Sequence, residues 1–295
     1  DIGIKQEKDN FPPTLYGSGR INPTQNLVDA FPMANGYPVA DKVNSGYLEN
    51  APYENRDPRL AKYILFNGST FKEKAIITGT YPDADNKQDN NLNQLNTSTR
   101  TGYYLRKLLR EDCNANPSSL NAKFHIPVRI RYTEIFLAYA EAANDAWGPM
   151  GKGGHNYSAY DVIKAIRARG GVGVNNGDAY LESIKGDKDK MAQLIRNERR
   201  IELCFEDHRF FDERRWKLFE GKSAASEKSL PYYQQVYNLY GVAVTPGQST
   251  VFNYGPAEMH QSRAFNSPKN YYFPIPDAEI KRLPNLGQNP GWEMQ

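Results

Sequence analysis

The sequence predicts a mainly α protein with extensive ordered loops and a few short strands or hairpins. Three observations carry this. Between about residues 129 and 219, apolar residues recur at helical spacing in successive stretches. The whole chain carries 19 Pro, 23 Gly and 20 Tyr, and outside that region these residues break the pattern into loops that carry amphipathic rings. In the first part of the chain, two Asn-Gly pairs, Asn35-Gly36 and Asn67-Gly68, supply the positive φ values of a type I′ turn.

Taken in order, the chain divides into a loop- and hairpin-rich part (1–128), a helical part (129–220) and a loop-rich C-terminal part (221–295). In the first part, Val28–Met33 and Tyr37–Val39 flank Asn35-Gly36 as one hairpin. Tyr63–Phe66 leads into Asn67-Gly68 as the start of a second. Residues 81–98, polar and rich in Asn and Asp, read as a long exposed loop.

The first long helix spans about Arg129–Ala146, with Tyr132, Ile135, Phe136, Tyr139, Ala143 and Trp147 on its apolar stripe. Ala138, Ala140, Ala142 and Ala146 allow a neighbour to approach closely, and Gly148-Pro149 stops it. A second helix runs from about Tyr157 to Arg169, up to Gly170-Gly171. A third runs from about Lys188 through Phe205, continuing to Phe219 after a break. Short connections predict antiparallel neighbours in the manner of helical repeats, although no internal sequence repeat is visible. Beyond Gly221 the chain reads as loop up to Lys269, and Asp277 reads as the N-cap of a short helix ended before Pro284.

A length of 295 residues suffices for a sizeable core. Mean hydropathy is −0.74. The longest strongly apolar stretch, near Ile135–Ala143, is far shorter than the roughly 18–20 residues of a spanning helix. A net charge of +3, from 37 basic and 34 acidic residues, gives no footprint for nucleic acid or anionic lipid. The chain opens at Asp1 without Met or a signal-like segment, which is expected of a processed chain or an internal fragment.

Catalysis is not expected. Glu198, Glu202 and Glu206 share a helix face, and a glycosidase would need two such acids. Each, however, has Arg neighbours that keep it ionised, and the spacing places Arg209 between Glu206 and Asp212. A structural salt-bridge helix is the expectation. No G-x-S-x-G elbow, Walker or Rossmann pattern is present.

No cofactor and no metal site are expected either. His125, His155, His208 and His260 lack ligand spacing, and Cys113 and Cys204 form neither a disulfide framework nor a zinc motif. Asp83, Asp85 and Asp89 do not fit a calcium loop.

Several segments, in order, resemble the SusD/RagB family. They are Pro23-Thr-Gln-Asn-Leu-Val-Asp-Ala-Phe-Pro-Met33, Asn55-Arg-Asp-Pro-Arg-Leu60 and Gly102-Tyr-Tyr-Leu-Arg-Lys107. The helix Ile130-Arg-Tyr-Thr-Glu-Ile-Phe-Leu-Ala-Tyr-Ala-Glu-Ala142 and the segment Ile166-Arg-Ala-Arg-Gly-Gly-Val172 continue the match. So do Glu198-Arg-Arg-Ile-Glu-Leu203, Glu206-Asp-His-Arg-Phe-Phe-Asp212 and Arg215-Trp-Lys217. Phe273-Pro-Ile-Pro276 and Asn285-Leu-Gly-Gln-Asn-Pro-Gly-Trp292 resemble the family's closing segment. Asp207, where the family usually has Gly, and Arg282-Leu283 depart from the pattern.

The resemblance implies tetratricopeptide-like helix pairs and a non-catalytic, surface-exposed outer-membrane lipoprotein. It also implies a SusC-like TonB-dependent transporter as partner, to which glycans or, in some members, peptides are passed. On the resemblance, the family's N-terminal part, with its lipid anchor, is expected to lie outside this sequence. Sugar binding would use exposed aromatic platforms with nearby amides. The candidates are Tyr47, Tyr53 and Tyr81, with Asn44 and Asn50, and the Tyr232–Tyr240 stretch is a second candidate region. A helical-repeat scaffold or a peptide-binding protein of the same transporter system, without its own sugar site, is the alternative.

Overall fold

Four helices in the middle of the chain build the principal core: α4 (Tyr132–Trp147), α5 (Ala159–Gly170), α6 (Ala179–Ile184) and α7 (Lys188–Glu202). The computed structural model describes residues 2–79, 89, 98–220, 233–243, 250–262, 264–283 and 285–292. The chain is mainly helical, with few short strands, as the sequence predicts.

Local chemistry sets the helix ends. Gly148, at φ 76°, closes α4 ahead of Pro149. Ser158 and Asp161 form a reciprocal capping box at the start of α5. The side chains of Asp178 and Asp187 accept from Leu181 N–H and Lys190 N–H to start α6 and α7. After α7 the chain breaks at Phe205 and Asp207, both left-handed, and resumes as α8 (His208–Arg215). Asp207, at φ 63°, occupies a position that favours glycine but that Asp tolerates. Helix α6 lies in a stretch that the sequence pattern leaves as connection.

Helix α4 packs on α5 and α7. Its buried face is Leu137, Ala140 and Ala143, joined by Thr133 and Asn144, against Ile163, Leu194 and Ile195. The stripe expected to be core is largely outside: Tyr132 is 75% exposed and Ile135 53%, with Trp147 also exposed. Phe136 and Tyr139 are only partly buried against the cluster. The alanines explain this. A face of small side chains lets two helices approach closely, so the larger residues turn outward.

The first part of the chain is irregular. It contains α1 (Lys5–Asn10), α2 (Gln25–Val28) and α3 (Arg59–Tyr63). Its strands are short: β1 (Ile2–Gly3), β2 (Ile64–Leu65), β3 (Ser69–Phe71), β4 (Lys74–Ile76), β5 (Tyr104–Leu105) and β6 (Lys123–Phe124). They pair antiparallel as β1–β6, β2–β5 and β3–β4.

Neither expected hairpin forms as read. Val28 ends a helix, and Asn35-Gly36 makes a tight turn in which Met33 N–H donates to Tyr37 C=O, with no flanking strand pair. Tyr63–Phe66 does not pair across Asn67-Gly68. Instead β2 pairs with distant β5, and the nearby hairpin β3–β4 turns at Lys72 and Glu73, whose φ values are 49° and 65°. Asn67 does other work: its Oδ1 accepts from Thr78 N–H and Gly79 N–H. An apolar cluster of Phe11, Leu65, Phe71, Ile76, Tyr104 and Cys113 closes this region.

The C-terminal part also differs from the loop reading. Strands β7 (Tyr233–Ala243) and β8 (Thr250–Ser262) form a long antiparallel hairpin with two register shifts, and β7 runs beside α2. A short helix α9 (Asp277–Arg282) follows, preceded by Pro276, so Asp277 is its first residue rather than its cap. Among the described residues no helix is long and apolar enough to cross a membrane.

Candidate functional site

The carboxylates weighed for catalysis lie in a dense ion-pair network between α7 and the loops. Glu198 is fully buried and receives Arg59 Nη1 at 2.9 Å and Arg167 Nη1 at 2.7 Å. Arg59 also reaches Glu202 at 3.2 Å and binds Asp57 at 2.6 Å. Glu202 further accepts from Arg131 and Arg169. Glu206, just past α7, accepts from Lys107 at 2.6 Å and Arg131 at 2.7 Å.

Burial would push the Glu198 carboxyl up, but Arg59 and Arg167 outweigh it and hold the group below the usual range. Burial of Glu206 is likewise outweighed by Arg131 and Lys107. Arg209 does not bridge Glu206 and Asp212; it pairs with Glu213 at 2.6 Å, while Asp212 is held by Arg199 and Arg215. Every one of these acids is matched to a cation, which is the pattern of a structural lock.

The sugar-binding candidates divide. Tyr53 stacks on Phe66 with ring centroids 4.2 Å apart and meets Tyr103 and Tyr254 edge-on. Its hydroxyl lies 3.2 Å from that of Tyr103. Its ring therefore belongs to an internal aromatic cluster that seats β8 on the first part of the chain. Tyr47 is half-buried, with the Lys42 ammonium 4.8 Å and the Arg56 guanidinium 5.6 Å from its ring centre. Asn44 and Asn50 are exposed in the same loop. The Asn44 side-chain amide donates to both oxygens of Asp41, at 3.2 and 3.0 Å, and its backbone carbonyl accepts from Asn35. Tyr81 and Tyr232 lie outside the described residues, and β7 is described only in its backbone.

Tertiary structure exposes one aromatic cleft that sequence reasoning missed. Leu203, Phe205, Asp207, Arg209, Phe210, Phe211 and Phe273 line about 490 Å³. Phe211 is 63% exposed and Phe273 67%. Phe210 stacks on Phe273 at 5.5 Å, with the Arg214 guanidinium 3.4 Å above Phe210. The Phe210-Phe211 pair was visible as a motif, but its meeting with Phe273 was not.

Comparison with known proteins places the chain. The SusD family profile matches residues 2–292, and the chain belongs to that family. A SusD-like protein P2 of Formosa agariphila is 28% identical over 184 residues, 61% of this chain and 27% of its own length. A SusD-like protein of Bacteroides fragilis is 27% identical with a TM-score of 0.58, over 94% of this chain and 48% of that one. A SusD-like carbohydrate binding protein of the same organism is 23% identical with a TM-score of 0.63, over 96% and 51%. The chain thus spans about half the length of these solved structures and 27% of the curated relative.

Proposed function

We propose that the chain is part of a non-catalytic cell-surface protein that captures glycans and passes them to a SusC-like TonB-dependent transporter in the outer membrane. Membership of the SusD family supports this reading, and a fold relative is described as a carbohydrate binding protein. The observation that carries it on this chain is the loop of residues 41–50. There Tyr47 presents a half-buried ring flanked by Lys42 and Arg56, beside the exposed amides of Asn44 and Asn50. An aromatic face next to fixed hydrogen-bonding groups suits a pyranose ring, which has an apolar face and polar edges.

The test is a glycan panel screened by calorimetry against the full-length protein. Tyr47→Ala is expected to weaken binding of the recognised glycan about tenfold, the equivalent of roughly 1.4 kcal/mol. Binding unchanged in Tyr47→Ala and Asn44→Ala would remove this loop from the site. Silence across plant, host and microbial glycans would sink the capture reading.

A scaffold or peptide-binding reading is favoured by a different observation. Phe124, Ile126, Val128, Ile130 and Tyr132 alternate along the chain with their side chains exposed, a run suited to a protein partner. Ile126→Asp with Ile130→Asp would disrupt transporter association under that reading while leaving glycan affinity unchanged.

A further inference from the structure

Residues far apart in the sequence converge near the first strand. Glu7 of α1, Cys113 and His125 each contribute one donor atom, and the carboxylate oxygen, sulfur and ring nitrogen all lie within 4.8 Å of one another. Pairing of β1 with β6 creates the meeting, because Ile2 lies opposite Phe124 and Gly3 opposite Lys123. This places His125, the residue after β6, beside the start of α1.

The donors are held by their surroundings. Arg110 N–H donates to Glu7 Oε1 at 3.0 Å, and Glu7 Oε2 lies 3.1 Å from His125 Nε2. Cys113 N–H donates to Arg110 C=O at 3.2 Å. The side chains of Glu7 and Cys113 are fully buried, whereas His125 is 22% exposed and faces solvent.

We propose that Glu7, Cys113 and His125 form a binding site for a divalent transition-metal ion of the zinc type, tying β1 and α1 to the 110–125 segment. The donor set selects the metal class. Thiolate and imidazole suit zinc and its neighbours, whereas calcium and magnesium take oxygen ligands. Zinc bonds of about 2.0–2.3 Å in tetrahedral geometry need donor separations of about 3.5 Å. The Glu7–His125 pair, at 3.1 Å, is slightly closer than that and the sulfur lies within 4.8 Å of both donors, so binding moves the three side chains by an ångström or so. On binding, the Cys113 thiol gives up its proton to solvent and its sulfur lone pair goes to the metal. The proton between Glu7 Oε2 and His125 Nε2 moves through solvent to His125 Nδ1, so that a lone pair on Nε2 and one on the carboxylate bond the metal in place of that hydrogen bond. Water on the His125 side completes the shell.

The same three residue types could serve as a nucleophile, base and orienting acid. Burial and the neighbouring Glu7 push the Cys113 thiol up, the opposite of an activated nucleophile. Nearby charges do not block a cation. The Arg110 guanidinium is engaged by both oxygens of Asp112, and the Lys72 ammonium donates to the carbonyls of Glu111 and Cys113.

The test is titration of the full chain, freed of metal by a chelator, with cobalt(II) and then zinc(II). One equivalent of cobalt is expected to produce a near-ultraviolet thiolate-to-metal band and tetrahedral visible bands, which zinc abolishes. Cys113→Ser removes the thiolate band, and Cys204→Ser leaves it intact. His125→Ala, at a partly exposed position, weakens binding at least as much as the roughly 10–100-fold typical of losing a supporting partner. Zinc raises the melting temperature of the wild type but not of His125→Ala. No thiolate band under excess cobalt, or one that survives in Cys113→Ser and vanishes in Cys204→Ser, overturns the proposal. So does zinc stabilisation that is undiminished in His125→Ala.

Discussion

The helical part and the loop-rich first part are both packed, but by different means. In α4–α7 the backbone satisfies itself, and the core is aliphatic and small: Leu137, Ala140, Ile163, Leu194 and Ile195. In residues 2–128 the strands are two or three residues long, so backbone groups need side-chain partners from elsewhere. Arg56 donates to the carbonyls of Pro52, Val28 and Phe31, and Asn67 accepts two N–H groups beyond β4. Regular structure leaves hydrophobic burial as the variable that sets stability. Irregular structure makes buried polar side chains indispensable, and Arg59 and Lys107 carry that dependence into the helices.

The joint between the two regions should be the weakest place to cut. Glu198→Ala strands Arg59 and Arg167 without their shared partner, and is expected to cost about 3–5 kcal/mol in urea unfolding. A loss below about 1 kcal/mol would mean that Glu198 is not what joins the regions. Within the helices, Leu137→Ala opens a cavity, and a loss of about 3 kcal/mol is expected by the same measurement.

The loop-rich part should show its own pH signature. Asp89 is fully buried and accepts from Thr14 N–H at 3.0 Å and Thr14 Oγ1 at 2.6 Å. Burial outweighs these bonds and pushes its carboxyl up to about 6 from 3.8. A raised folded value means the folded state holds the proton more tightly. The contribution is therefore fully present below about pH 3.8 and lost as pH rises through about 6. Compared with Asp89→Asn, the wild type should lose about 2 kcal/mol between about pH 4 and pH 7, since each tenfold difference in proton affinity is worth about 1.4 kcal/mol. Parallel pH profiles would remove Asp89 from this role. The smallest effect is local: Ser158→Ala deletes the α5 capping box and is expected to cost about 1 kcal/mol, read as a lower melting temperature.

Legibility followed the same division. The stops at Gly148 and Gly170-Gly171 and the existence of α4, α5 and α7 were readable, because caps and periodicity act within a few residues. The inward face of α4 was not. Hydrophobicity ranks Tyr132 and Ile135 above Ala140, whereas close packing against α5 and α7 favours the alanine. Tyr53 misled in the same way: a ring in a loop gives no sign of whether Phe66, Tyr103 and Tyr254 will surround it.

By itself, the sequence determined the mainly helical class, the existence of α4, α5 and α7 and the ordered motifs that mark the SusD family, since each is written in short-range chemistry. Only the tertiary structure decided that Glu198 locks two regions together and that β2 pairs with β5 across some 40 residues. It alone brought Glu7, Cys113 and His125 to one point. The physical reason is that these features depend on contacts between segments distant in the chain, which no local pattern encodes.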